Sequence, residues 1–160
     1  MKRSILPLAA ALTASLAFGG AFAAEDQPQV IDLTQVGCQF LESENGVDRG
    51  FDPKSAEDCE AINVSTGEAR LAEAKVLNLK PGRYIFRVTN ENVPYELGFW
   101  LREHDYDWAN PIHKLTKTSI SGGGLTTGTT KDYEVELAEG EFLYSCPLNP
   151  TPDYRLVVAQ

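Results

Sequence analysis

The chain has 160 residues, with 14 Lys and Arg against 23 Asp and Glu, which gives a formal net charge of −9 at pH 7. This length suits one domain, and 3 Cys do not make a dense disulfide framework, so an ordinary core must stabilise the fold. The acidic balance argues against nucleic acid or anionic lipid as a partner, because both would be repelled, and favours a basic protein or a metal cation.

Residues 1–23 have the pattern of a secretory signal peptide. Lys2 and Arg3 give a basic start, a mainly apolar run follows over 5–17, and a small-x-small cleavage pattern ends at Ala23. The run is too short for a membrane span, and no later segment approaches the necessary length. We therefore predict an exported, periplasmic protein that is cleaved after about Ala23. Cleavage there would leave 137 residues, and because it removes Lys2 and Arg3 the net charge would become −11.

The predicted mature domain, residues 24–160, begins with a strand and an acidic segment. Residues 30–36 are rich in β-branched side chains, as in a strand. Residues 42–60 carry seven acids and two bases, and we predict that they form an inserted loop. Cys38 and Cys59 lie at its ends, and in an oxidising compartment a disulfide between them would contribute on the order of 3 kcal/mol. The alternative is two unrelated buried thiols.

The rest of the chain is dominated by short strand-like runs. Residues 65–75 predict either a short capped helix or a loop. Together with 30–36, about seven short runs separated by turn signals predict a sandwich, and alternation with one polar face predicts antiparallel sheets. The later runs are 76–79, 83–89, 95–102, 132–137, 141–146 and 154–158.

A long connection, residues 103–131, separates two of these runs. It contains both histidines, Trp108 and a glycine-rich segment at 121–128. That segment lacks the Gly-Lys-Ser/Thr ending and the following helix of a phosphate-binding loop, so we predict a flexible inter-strand loop. The sequence His-Asp-Tyr-Asp at 104–107 could hold a surface metal, although a solvated acidic loop explains it better.

The run that ends at Cys146 is the most informative part of the sequence. Period-two alternation places Phe142, Tyr144 and Cys146 on the inward face, with the cysteine at the end of the strand. A loop with three prolines follows at 147–153. If the other two cysteines pair, Cys146 is the unpaired thiol and a candidate ligand or reactive group. The alternative is an inert buried thiol, since free Cys packs as a small hydrophobe.

From residue 74 to residue 158 these features resemble the cupredoxin family of small blue-copper electron carriers. The turn at 80–82 resembles the turn before the family's central strand, and 92–99 resembles the segment that carries the first histidine ligand. Residues 140–146 resemble the strand that ends in the copper-binding cysteine. The resemblance implies an all-β, cupredoxin-like Greek-key β-sandwich, with the acidic segment at about 42–60 as an insertion.

Most of the copper ligands that the resemblance implies are replaced. Tyr95 stands where the first histidine is expected, and Asn149 stands three residues after Cys146, where many members have the second. Tyr154 falls near the expected axial methionine. A blue-copper site needs one thiolate and two imidazoles, so the sequence predicts a degenerate metal site.

Two interpretations of this end of the fold stay open. In one, the replacing residues form a hydrogen-bonded polar plug around Cys146, because buried polar groups need partners. In the other, Cys146 belongs to an altered copper site with Tyr95, Glu96, Tyr154 or a loop histidine. Of the two histidines His113 is the better candidate. The predicted binding-site end comprises Tyr95, Trp108, Cys146, Asn149 and Tyr154.

We predict an exported, non-enzymatic binding or accessory protein that uses this end as its partner surface, with either no cofactor or copper. The alternatives are an atypical copper-binding or electron-transfer protein that uses Cys146, and a thiol redox sensor. A reactive thiol needs a nearby base or a lowered pKa, and no Cys-x-x-Cys is present. A hydrolase is disfavoured because Gly-x-Ser-x-Gly and His-Glu-x-x-His motifs are absent.

Overall fold

The computed structural model describes residues 27–160, which form two packed β-sheets; the predicted signal peptide at 1–23 lies outside the described residues. A 3₁₀ turn spans Glu42–Glu44, helix α1 spans Ala56–Glu73 and helix α2 spans His113–Thr116. The strands are β1 Gln29–Val36, β2 Gln39–Phe40, β3 Leu77–Leu79, β4 Gly82–Asn90, β5 Leu97–Glu103, β6 Ser119–Leu125, β7 Thr130–Leu137, β8 Gly140–Ser145 and β9 Tyr154–Val158.

The two sheets have four and five strands, with the orders β2-β1-β4-β7 and β3-β9-β8-β5-β6. Most neighbours are antiparallel, as the alternation predicts, but β1 pairs in parallel with β4 and β3 pairs in parallel with β9. Parallel neighbours need a long crossover, and the segment between β1 and β4, which contains α1, is long enough to supply one.

The core lies between the sheets and is built from the inward side chains of each strand. In β4, Tyr84, Phe86 and Val88 are at most 1% exposed and alternate with more accessible neighbours. Across the sandwich, Phe99 of β5 stacks on Phe86 at 5.3 Å between ring centroids and lies 5.2 Å from Tyr133 of β7. Such aromatic pairs stabilise the packing beyond the burial of their area.

Helix α1 is the main departure from the predicted elements. A loop was predicted over residues 42–60, and this prediction is wrong for residues 56–60, which belong to the helix. For residues 65–75 the sequence allowed a helix or a loop, and the structure shows a helix that begins at Ala56 and ends at Glu73. Ser55 and Asp58 form a capping box, which satisfies two free amides at the helix start. Three residues of the helix are buried, Cys59, Gly67 and Arg70, so it has no apolar stripe of the kind that period 3.6 detects.

The glycine-rich segment 121–128 was predicted to be a flexible loop, and this prediction is wrong for most of its length. Its first five residues belong to β6, and β5 begins at Leu97 rather than at residue 95. A Cβ on Gly98 would lie 2.8 Å from the carbonyl oxygen of Gly122, and one on Gly123 would lie 2.8 Å from Glu96 Oε1. The role of these glycines is therefore to let the backbones of β5 and β6 and the Glu96 side chain approach closely, and not to make the segment flexible.

A buried ion pair holds α1 against the sandwich. Arg70 is 2% exposed and donates from Nη2 and Nε to Glu44 Oε1 at 2.6 and 2.9 Å. The same carboxylate accepts from Arg49 Nε and from the Tyr154 hydroxyl. Arg70 Nη2 also donates to the backbone oxygen of Cys38 at 2.8 Å, so this one guanidinium connects the helix to two other segments.

None of the helices in the described residues is long and apolar enough to cross a membrane.

We predict that Arg70→Met lowers the free energy of unfolding by about 3 kcal/mol, because removing one partner of a buried pair leaves the other charge poorly compensated. Urea denaturation followed by circular dichroism measures the effect. Arg87→Met is the matched control, since Arg87 pairs with Asp132 on the surface and its loss should leave the midpoint nearly unchanged. Equal midpoints for the two variants would contradict the role assigned to Arg70.

The Glu44 carboxylate also predicts a pH dependence. Burial raises its pKa, but the hydrogen bonds from Arg70, Tyr154 and Arg49 outweigh burial and hold the pKa below its ordinary value of 4.5. The resulting stabilisation is present above pH 4.5 and is lost as the pH falls through the folded-state pKa. Between pH 5 and pH 3 we therefore expect a smaller loss of stability in Glu44→Gln than in the wild type, measured as urea midpoints. Glu139→Gln, at an exposed position, should follow the wild-type pH profile.

Candidate functional site

Cys146 follows the last residue of β8, and its thiol is buried at the end of the sandwich. The predicted alternation holds, because Phe142, Tyr144 and Cys146 are 3%, 0% and 1% exposed. The thiol sulfur accepts hydrogen bonds from the backbone amides of Gly98 at 3.3 Å and Asn149 at 3.2 Å. Burial nevertheless raises the pKa of the Cys146 thiol above its ordinary value. The neutral thiol is therefore the stable form at pH 7.

Asn149, at the position of the second implied histidine, is fully buried and bonded on both sides of its amide. Its Oδ1 accepts from the backbone amide of Cys38 at 3.0 Å and lies 3.2 Å from the Tyr95 hydroxyl. Its Nδ2 donates to the backbone oxygen of Val36 at 3.1 Å. The side chain thus ties the loop after β8 to the turn between β1 and β2.

Tyr95, at the position of the first implied histidine, faces the beginning of α1. Its hydroxyl lies 3.2 Å from the Ser55 backbone oxygen and 3.2 Å from Asn149 Oδ1, so one phenolic proton serves two acceptors. Burial, with a smaller contribution from Cys146, raises the pKa of Tyr95 to about 12. The phenol therefore stays neutral at physiological pH.

The predicted disulfide between Cys38 and Cys59 is present, and both residues are fully buried. It joins the β1–β2 turn to the first turn of α1. Cys59 Sγ lies 3.1 Å from Asn149 Oδ1 and 3.8 Å from the Tyr95 hydroxyl oxygen, in contact with both residues that replace the implied histidines. The disulfide and the N-terminus of α1 therefore cover the end of the fold that holds Cys146.

Tyr154 belongs to a different group of side chains. Its hydroxyl donates to Glu44 Oε1 at 2.6 Å, and burial together with that carboxylate raises its pKa. Its ring lies 5.6 Å from that of Tyr144. Of the residues predicted at this end of the fold, the structure joins Tyr95, Cys146 and Asn149 by direct hydrogen bonds, while Tyr154 helps to hold the Glu44 carboxylate.

Trp108 and His113 lie on the connection between β5 and β6. His113 begins α2, and its Nδ1 accepts from the backbone amide of Asp107 at 2.9 Å, a contact within the connection itself. Trp108 is 69% exposed and shares an open cavity of about 370 Å³ with Pro147, the residue after Cys146. Across residues 27–160, His, Cys, Asp and Glu side chains form no group of three or more that could hold a metal ion.

Sequence reasoning missed Gln35, a buried polar residue of β1 next to the site. Its Nε2 donates to the backbone oxygen of Gly98 at 2.7 Å, and its side chain is close enough to Cys146 to lower the pKa of the thiol. Its Oε1 has no hydrogen-bond partner in the described part of the chain. The signal was available, since Gln35 occupies the inward face of a strand two residues after the core residue Leu33.

The side chains around Cys146 do not fit the copper site that the resemblance implies. Copper in such a site takes a thiolate and two imidazoles. Here a neutral phenol and an amide that is hydrogen-bonded through both its oxygen and its nitrogen stand at the histidine positions. Asn149 cannot turn towards a metal without giving up its hydrogen bonds to Cys38 and Val36.

No protein-family model matches this chain, and no curated protein matches it. Among solved structures, auracyanin B superposes with a TM-score of 0.50 and 13% identity over 82% of this chain and 89% of that chain. Auracyanin A, a "blue" copper protein from Chloroflexus aurantiacus, gives a TM-score of 0.49 and 14% identity over 82% of this chain and 99% of its own. The likeness to auracyanin B, with the observed strand order, confirms the predicted all-β, cupredoxin-like β-sandwich.

Proposed function

We propose that this chain is an exported binding or accessory protein of cupredoxin-like fold, with a degenerate metal site, rather than a conventional blue-copper electron carrier. The observation that carries the proposal is the position of the Cys38–Cys59 disulfide. One of its sulfurs contacts both Asn149 and Tyr95, the two residues at the implied histidine positions. These residues then serve to attach a covering helix instead of binding a metal.

The chemistry of Cys146 supports the same proposal. A blue-copper site needs two imidazoles beside the thiolate, and within residues 27–160 the His, Cys, Asp and Glu side chains form no group of three or more that could hold a metal ion. The residue is 1% exposed, and burial raises the pKa of its thiol although the backbone amides of Gly98 and Asn149 donate to the sulfur. The same features disfavour the thiol redox sensor, which needs an accessible sulfur and a lowered pKa.

Export and partner charge rest on separate observations. A buried disulfide is typical of proteins that fold in an oxidising compartment, which agrees with the signal-like residues 1–23. The net charge of −9 favours a basic protein or a cation over nucleic acid. The partner surface would lie at the loop after Cys146 and at Trp108, the exposed aromatic residue beside it.

A copper titration tests this proposal against atypical copper binding. Cu²⁺ is added to the purified exported protein and to its Cys146→Ser variant, and the visible absorption is recorded. We expect the two spectra to be indistinguishable, because Tyr95 and Asn149 stand where a blue-copper site would supply the two imidazoles that accompany the thiolate. An intense charge-transfer band in the wild type that the variant lacks would overturn the degenerate site and establish copper binding by Cys146.

Thiol alkylation tests the redox-sensor alternative. We expect Cys146 in the native protein to react at least about 100-fold more slowly with iodoacetamide than in denaturant, because the reaction requires local opening. Mass spectrometry under non-reducing conditions follows the label. The double variant Cys146→Ser, Leu115→Cys is the matched control, since position 115 is 87% exposed and should react at a similar rate in both states. Rapid native labelling of Cys146 would support the sensor.

A further inference from the structure

An aromatic cleft lies on the outer face of the five-stranded sheet. It is an open cavity of about 370 Å³ between β5, β6, the connection that joins them and the loop after β8. Such a volume falls within the range of ligand pockets, although at its lower end. The lining residues are Trp100, Tyr106, Trp108, Ser119, Ser121 and Pro147.

The inner wall of the cleft is fixed in place. Trp100 has its ring 4.0 Å from the Arg102 guanidinium carbon, and its Nε1 donates to Ser119 Oγ at 3.0 Å. Tyr106 meets Trp100 in an edge-to-face arrangement with 6.3 Å between centroids. In β6, Ser119 and Ser121 are two residues apart and so belong to the same face, and Ser121 is the cross-strand partner of Trp100. Two rings and two hydroxyls therefore form one rigid surface.

The outer wall is the indole of Trp108, which is 69% exposed. The ammonium of Lys114 lies 4.7 Å from the ring centroid, which restricts the orientation of the indole and occupies one face. Trp and Tyr are the residues that most often dominate binding energy when they become covered. A largely exposed tryptophan beside the fixed inner wall leaves an aromatic surface that a ligand can cover.

We propose that this cleft binds a neutral oligosaccharide. None of its six lining residues carries a charge at neutral pH, and the two cations that lie against its tryptophan rings are Arg102, which is paired with Asp153, and Lys114. An uncharged ligand therefore matches the cleft better than a cationic one. A sugar ring has a face of C–H groups with partial positive charge, which suits the negative face of an aromatic ring. Its rim of hydroxyls suits serine hydroxyls, which both donate and accept.

A proline-rich peptide is the other ligand class that docks in aromatic grooves. Such a peptide presents backbone carbonyls that need donors, and the indole N–H of Trp100 is already bonded to Ser119. Ser119 and Ser121 still offer hydroxyl donors, but a polyproline backbone has no N–H with which to satisfy their acceptor lone pairs, whereas a sugar hydroxyl both donates and accepts. This match favours the saccharide.

This inference goes beyond the proposed function, because it assigns the Trp108 part of the partner surface to a neutral ligand instead of a basic protein and leaves the rest of that surface, along the loop after Cys146, as it was proposed. It does not depend on the state of Cys146. A copper band that requires Cys146 would overturn the degenerate metal site and leave the cleft unaffected. Failure of saccharide binding would remove the cleft assignment and leave the copper result unchanged.

Intrinsic fluorescence gives a direct test, because the chain has 2 Trp and both line the cleft. The purified protein is titrated separately with maltotriose, cellotriose, chitotriose and a decaproline peptide. We expect a saturable change in tryptophan emission with at least one trisaccharide, with a Kd of about 1 mM or tighter, and none with decaproline. Saturation by decaproline alone, or by none of the four probes, would overturn the proposal.

Variants of the connection locate the binding. Trp108→Ala should weaken trisaccharide binding at least tenfold, measured by calorimetry, and Trp108→Phe should restore part of the affinity because it keeps an aromatic face. Ile112→Ala is the control, since Ile112 is 63% exposed on the same connection but does not line the cleft, and it should bind as the wild type does. Thermal melts confirm folding of each variant. Unchanged affinity in Trp108→Ala would overturn the assignment.

Discussion

The buried amide of Asn149 is the interaction on which the closed end of this fold depends. An amide offers donors and an acceptor on one small group, so Asn149 can donate to Val36 while it accepts from the backbone of Cys38. Its oxygen also contacts Tyr95 and Cys59. Four segments of the chain therefore meet at one side chain. A metal-binding imidazole at the same position could not keep these contacts and also direct a nitrogen at a metal.

The covering helix is attached by a covalent bond and by charge instead of an apolar face. The disulfide anchors the first turn of α1, and the pair of Arg70 with Glu44 anchors the last third. A buried pair is strongly destabilising when one partner is lost, so this attachment is stable only while all of its donors and acceptors are in place. The exposed indole of Trp108 lies outside this closed end, on the connection between β5 and β6.

The sequence predicted the parts of the site that follow from local pattern. Strand alternation placed Cys146 inward, and the spacing of the other two cysteines around an insertion predicted their pairing; both are confirmed. Helix α1 was missed over its first half because Cys59 is the one buried residue between positions 56 and 64, and the acids Glu57, Asp58 and Glu60 around it give no hydrophobic periodicity. Strand β6 was missed because glycine usually marks turns, whereas here it permits close backbone approach.

By itself, the sequence determined the sandwich, the acidic charge, the disulfide and the loss of the implied histidine ligands, because each depends on residue type and short-range spacing. The tertiary structure alone decided which groups the replacing residues contact. Tyr95, Cys59 and Asn149 are separated by 36 to 90 positions in the chain, and their contacts arise only when α1 folds over the end of the sheets. It also decided that Tyr154 binds Glu44 rather than facing Cys146, since no local pattern records which distant carboxylate a buried phenol will meet.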